Sequence, residues 1–399
     1  MIMMDLPGRG ARGATFSSSL GAALRRSRNM RQLLPLVAAL LITAVTFESL
    51  SGLFLSPGNL VNLLTETSPL ALVAVASCIM ILMGEIDLSL GSVAGLGAAI
   101  AASLMASGMP WFAAILVTLV ACGFVGMIQG ALVVVAGVRS FVVTLAGFLV
   151  CYGLQQRVLQ PSGYIAVDSP IVTDLAILRI PLWLSIGVAT TVGILGVLAT
   201  LLTRQPSESG ANRGNEKARF VQVLLPPILA VSVILYLDAG GGVPALTGIV
   251  LLITGIVWYL LNKTSSGRHL YAIGGNVLAA QECGVRVGLI RWGGFVATSV
   301  LAGLAGLSLL AYTSGADNTT GTGTLLLAAI GAAVVGGISL SGGRGSVWGG
   351  LAGALLLGGV QNGLNLLNLS SDMVYVVEGG VVVGALLIDA AIRRGMGRP

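Results

Sequence analysis

From Leu33 onward the chain is a succession of apolar runs, each roughly 20 residues long, separated by short polar or glycine-rich stretches. An α-helix needs about that length to cross the hydrocarbon core of a bilayer, and in lipid the backbone can satisfy its polar groups only within a helix or a closed barrel. Helix-length runs select the helix. Charged residues are 9% and hydrophobic residues 55% of the 399, against about 25% charged in soluble domains. The expected fold is therefore all-α, a polytopic integral membrane bundle of about 12 spans. They are placed near 33–54, 60–83, 88–107, 110–135, 140–159, 181–203, 221–238, 243–261, 293–312, 324–340, 346–367 and 373–392.

Charge sets the expected orientation. With a cytoplasmic amino terminus, every Lys and Arg falls in an inner segment except Arg157 and Arg179, which is the positive-inside asymmetry. Both termini are then cytoplasmic. The net charge of +6 reflects this orientation, and no aromatic-basic patch points to nucleic acid. The expected organisation is a basic tail over 1–32, a first transmembrane half over 33–203, a polar cytoplasmic linker over 204–220 and a second half over 221–399. The second half contains a hydrophilic segment, 262–292. The first apolar run is too long for a secretory signal and lacks a small-residue cleavage site, so it is read as a span. Cys78, Cys122, Cys151 and Cys283 show no metal or disulfide spacing. The chain has no G-x-x-x-x-G-K-[ST] loop for binding ATP.

Acid in a membrane chain requires a reason. In GEIDLSLGS, Gly84–Ser92, Asp87 is expected to accept amide hydrogen bonds where the next helix starts, with a gating role as the sharper alternative. The segment recurs loosely as GGISLSGGRGSVWGGLAGA from Gly336, which suggests two related halves in parallel orientation. Small residues at Gly91 to Gly95, Gly126 to Gly130, and Gly345, Gly349 and Gly353 are expected to share helical faces and let backbones approach. Glu66, Glu85, Glu378 and Asp389 are the other acids worth testing. A neutral solute needs hydrogen-bond partners without a strong charge trap. The pathway candidates are accordingly Asn62, Asp87, Ser89, Gln129, Gln155, Gln361, Asn362 and Asn365. The structural alternative for each is an interhelical hydrogen bond worth about 0.6 kcal/mol.

The most informative polar segment is Ser265–Trp292. Asn276 can cap a helix over Val277–Cys283, and Gly284 can end it in the left-handed region. Two turns are too short to be stable alone in water. The helix must lie on its own membrane domain or dock a cytoplasmic partner.

Here the sequence resembles a known family. Gly267, Arg268, Tyr271, Ala272, Ile273, Gly274, Gly275, Asn276, Ala279, Ala280 and Gly284 match the coupling-region pattern of permease subunits in ribose- and xylose-type ABC sugar importers. GEIDLSLGS resembles that family's G-x-I-D-L-S-x-G-S signature, and GGISLSGGRGS its carboxy-terminal counterpart. The resemblance implies a homodimeric or paired permease working with two cytoplasmic ATPase subunits and a periplasmic or lipid-anchored sugar-binding protein. ATP and Mg belong to the ATPase partner, and no cofactor is expected on this chain, which is not expected to be an enzyme. Gly267, Arg268, Asn276, Ala279, Ala280, Glu282 and Gly284 are the implied ATPase-coupling residues. The layout is closest to the xylose-type branch, which points to a pentose such as xylose. Leu325, Leu326 and Leu327 stand where family members often carry acids. The competing class is a carrier driven by an ion gradient.

Overall fold

A computed structural model describes residues 35–167, 169–202 and 213–395. The expected tail, residues 204–212 of the expected linker, and Arg398 lie outside the described residues. Fifteen helices follow in chain order: α1 (Pro35–Ser51), α2 (Pro57–Leu82), α3 (Leu90–Ala106), α4 (Trp111–Val134), α5 (Ser140–Val158), α6 (Pro170–Ile177), α7 (Leu182–Leu202), α8 (Arg213–Asp238), α9 (Ala245–Lys263), α10 (Ser265–Gly275), α11 (Val277–Glu282), α12 (Val287–Thr313), α13 (Gly323–Val335), α14 (Val347–Leu366) and α15 (Ser371–Gly395). Each expected span coincides with one of them, leaving α6, α10 and α11 between spans. Residues 213–220, expected in the linker, are the first two turns of α8.

Among the described residues five helices, α2, α4, α5, α9 and α12, are long and apolar enough to cross a membrane by themselves. Others are short. The 17 residues of α3 and 13 of α13 rise about 26 Å and 20 Å at 1.5 Å per residue, less than the roughly 30 Å of hydrocarbon core. Such helices reach across only with the loops at their ends. Those loops carry the two related signatures.

α2 is the central element. Ser56 caps it by accepting the Asn59 amide, and Pro57 occupies its first turn, where a missing N–H costs nothing. From Leu70 to Met83 every residue is buried, as expected of a helix apolar on all sides. α12, α13 and α14 surround it, and α3 and α4 pack on α12. Small residues set these distances. A Cβ on Gly306 of α12 would strike the Ala94 carbonyl of α3, and one on Gly126 of α4 would strike Phe295 O of α12. Gly349 and Gly353 of α14 bring their backbone against Gly336 and Ala332 in the same way. Gly345 departs from the expected helical ladder. It precedes α14 with φ +136, a conformation that suits glycine.

At the end opposite the signature loops, two short antiparallel ladders join distant segments. β1 (Tyr164–Ala166) pairs with β4 (Gly315–Asp317), and β2 (Arg179–Ile180) pairs with β3 (Val243–Pro244). The sequence reading did not anticipate these strands.

Candidate functional site

Three separated segments meet at one end of the bundle. α2 finishes at Leu82 with Met83 as its cap residue, and Gly84 turns the chain with φ +81. A Cβ at Gly84 would sit 3.7 Å from the Gly274 Cα at the end of α10. On the other side, Gly342 and Gly343, with φ +79 and +68, carry the α13–α14 turn past Gly274 and Gly275. The Gly343 amide donates to the Leu82 carbonyl at 2.9 Å, and the Tyr271 hydroxyl donates to Gly345 O at 3.1 Å. A Cβ on Gly274 would collide with that same Leu82 carbonyl and approach Gly343 N to 2.6 Å. These glycines leave backbone against backbone. The end of α10 is therefore in direct contact with both signature loops.

α10 and α11 form the exposed side of this junction. Thr264 caps α10 by accepting the Gly267 amide at 3.2 Å, and Asn276 caps α11 by accepting the Ala279 amide at 3.1 Å. Gly284 follows with φ +79 and open space around it. The expected cap and terminator of the short helix are both observed, with α11 ending at Glu282. Ala280 points into the bundle, whereas Arg268, Ala279, Glu282 and Gly284 are exposed. Gly267 is buried against the Leu260 and Leu261 carbonyls at the end of α9. Leu278 is 70% exposed, an unusual position for a large apolar side chain on a polar segment. α10 itself was missed because its sequence, SSGRHLYAIGG, has three glycines and a weak helical signal.

Inside the same end, Asp87 Oδ1 accepts the Ser89 amide at 2.8 Å and the Ser89 hydroxyl at 2.6 Å. Ser89 is the cap residue of α3, so the carboxylate braces the turn just before the helix. It does not reach the first-turn amides. Gln129 of α4 donates to Ser89 Oγ at 2.9 Å. Asp87 Oδ2 is buried without a hydrogen-bond partner. Next to this network, Arg291 Nε stands 2.8 Å from Glu85 Oε1, an ion pair out of hydrogen-bond alignment, which ties the loop to the first turns of α12. Asp87→Asn keeps the acceptor for Ser89 and should unfold like the wild type. Asp87→Leu removes it and should cost about 1–3 kcal/mol, measured by thermal unfolding of the purified protein. Equal unfolding temperatures for the two variants would remove the bracing role.

The remaining candidates lie toward the other end. Gln155 of α5 is buried, and its Nε2 donates to the Asp317 and Thr320 carbonyls at 2.9 and 2.8 Å. It holds the loop after β4. In that loop burial raises the Asp317 pKa, but hydrogen bonds from Thr320 and Thr319 outweigh it and hold the carboxyl below its ordinary value. Asn362 and Asn365 of α14 extend their amides toward Glu66 of α2 at 3.5 and 3.4 Å. Asn59 Nδ2 donates to Asn362 Oδ1 at 2.8 Å. Asn62 is exposed on the same face of α2, and Gln361 is half-buried. The pathway candidates thus divide into a group of Asp87, Ser89 and Gln129 at the signature end, a group around Glu66 toward the opposite end, and Gln155 apart from both. Asn59 escaped the sequence reading, although the spacing of Asn59, Asn62 and Glu66 puts three polar groups on one helical face.

An apolar helical bundle with polar side chains between its helices, and a capped polar helix pair exposed at one end, is the build of a membrane permease. Residues 59–386 match the family described as the branched-chain amino acid transport system / permease component, and the chain belongs to that family. It is 32% identical to the xylose transport system permease protein XylH of Haemophilus influenzae, over 93% of this chain and 99% of that protein. It is also 32% identical to the ribose import permease protein RbsC of Escherichia coli K12, over 88% and 91% respectively. With XylH of Escherichia coli K12 the identity is 31%, over 91% and 93%. No solved structure matches the chain.

Proposed function

We propose that the chain is the membrane-spanning subunit of an ATP-driven importer of a monosaccharide, and that its solute is a pentose such as xylose. The sugar class is supported by relatives named for xylose and ribose that align over nearly their whole length. The observation that carries the energy-coupling part is the exposed α11, whose neighbour α10 touches both signature loops through Gly274. A push on α11 from a separate ATPase would reach α2, α3, α13 and α14 together. In this reading the signature end is cytoplasmic, as the distribution of Lys and Arg suggests, and a sugar-binding protein delivers solute to the opposite end. A second copy of the chain completes the pore.

The test is co-purification of the tagged full-length chain with its candidate ATPase. Leu278→Glu alters only an exposed side chain. Gly284→Arg adds bulk and charge at a position with a left-handed backbone. Both should lower ATPase recovery by about tenfold or more, since interface anchors typically cost over 2 kcal/mol when removed, while the membrane domain stays monodisperse. Equal recovery from wild type and both variants would move the ATPase contact away from α11 and favour a gradient-driven carrier.

A further inference from the structure

Glu66 lies nine residues after Pro57, about 14 Å along α2 at 1.5 Å per residue, which is deep for a carboxylate. Among the described residues no cation is paired with it. An ionisable group inside a membrane bundle is costly and faces other protein groups or a water-filled space. Glu66 is half-buried. Its polar neighbours are two carboxamides, and the contacts of 3.5 Å from Asn362 and 3.4 Å from Asn365 are at the long limit of hydrogen bonding. A carboxylate has about four acceptor sites, so most of its capacity is free. Each amide likewise retains donor capacity, and Asn365 is exposed beside the end of α14.

We infer that Glu66, Asn362 and Asn365 form a station for a neutral polyhydroxylated solute in the outer half of the bundle. The carboxylate accepts two hydroxyl hydrogens of the solute, and the carboxamides donate to its oxygens. This assignment rests on the sugar-import reading for the class of solute, and adds both the place and a rule of selection. An ionised carboxylate in a half-buried site repels an anionic solute, so acidic sugars are disfavoured where neutral ones pass.

The experiment uses the purified full-length chain in lipid nanodiscs without an ATPase, with D-xylose and its acid D-xylonate as probes in saturation-transfer NMR. Wild type should contact xylose and not xylonate. Glu66→Leu and Asn365→Leu should each weaken xylose contact by about tenfold or more, as expected where a site built to hydrogen-bond a hydroxyl loses its partner. Glu66→Gln should admit xylonate. Retained ATPase co-purification by each variant reports an intact fold. Absence of xylose contact with wild type at about 100 mM, far above a millimolar dissociation constant, would overturn the station. So would xylose contact unchanged by both leucine variants. Either result leaves the α11 experiment standing, whereas failure of ATPase recovery to depend on α11 overturns the coupling reading and leaves this station in place.

Discussion

Gly274→Ala should cut sugar uptake by about tenfold or more in cells carrying the complete transport system, while Gly275→Ala should leave uptake within about twofold of wild type. The two residues are adjacent at the end of α10, and both substitutions improve helix propensity by up to about 1 kcal/mol. Their surroundings differ. A Cβ on Gly275 meets nothing within 4 Å, whereas one on Gly274 runs into the Leu82 carbonyl, approaches the Gly343 amide to 2.6 Å and so breaks into the hydrogen bond between them. Overpacking of this kind costs about 1–3 kcal/mol, and at this junction it separates α10 from both signature loops. Because α11 faces away from that contact, ATPase binding should survive in both variants. Uptake reduced equally by the two would trace the effect to α10 itself, and normal uptake by Gly274→Ala would show that transport does not depend on this junction.

Gln155→Leu should destabilise the folded chain by about 2–4 kcal/mol, because it strips donors from two carbonyls at once and an unsatisfied buried polar group costs about 1–3 kcal/mol. Those carbonyls, of Asp317 and Thr320, lie more than 160 residues away in sequence. Gly95 makes the approach possible, since a Cβ there would meet both Thr320 O and the Gln155 side chain. Thermal unfolding should begin at a lower temperature, with earliest proteolysis around residues 315–322. Unchanged unfolding and proteolysis would mean that the β1–β4 ladder holds the loop without help. The sequence reading placed Gln155 among residues along a solute path, and its observed bonds tie α5 to the loop that follows β4.

The difference between these two residues and the spans explains what could be read in advance. A run such as Ala71–Met83 declares its helix locally, because length and apolarity are properties of the run itself. Asn276 and Gly284 also declare themselves, since a cap and a terminator act within one or two turns. Gly274 does not. Its value depends on Leu82 and Gly343, and nothing in the YAIGGN segment encodes which backbones will come to rest against it. Glu66 is similar: its depth in an apolar helix was visible, but the amides of Asn362 and Asn365 reach it only once α2 and α14 are side by side. The resemblance to sugar permeases gathered the three signatures into one family, and only the fold brought them into contact. The strands at Tyr164–Ala166 and Gly315–Asp317 were hidden for a related reason, as three residues give too short an alternation to mark a strand.

The short ladder of Arg179–Ile180 with Val243–Pro244 bears on how such chains change over generations. It brings residues 180 and 243 side by side, so the polypeptide leaves the bundle and returns at almost the same point. Between these positions lie α7 and α8, which pack on each other, with the Tyr236 hydroxyl of α8 donating to the Leu55 carbonyl in the turn before α2. A hairpin closed at its base can be gained or lost in one genetic event with little displacement of what remains. Because it contains two passes, its removal leaves every later loop on its original side of the bilayer. Loss of this helical pair would therefore leave α10 and α11 on the side of the bilayer they already occupy.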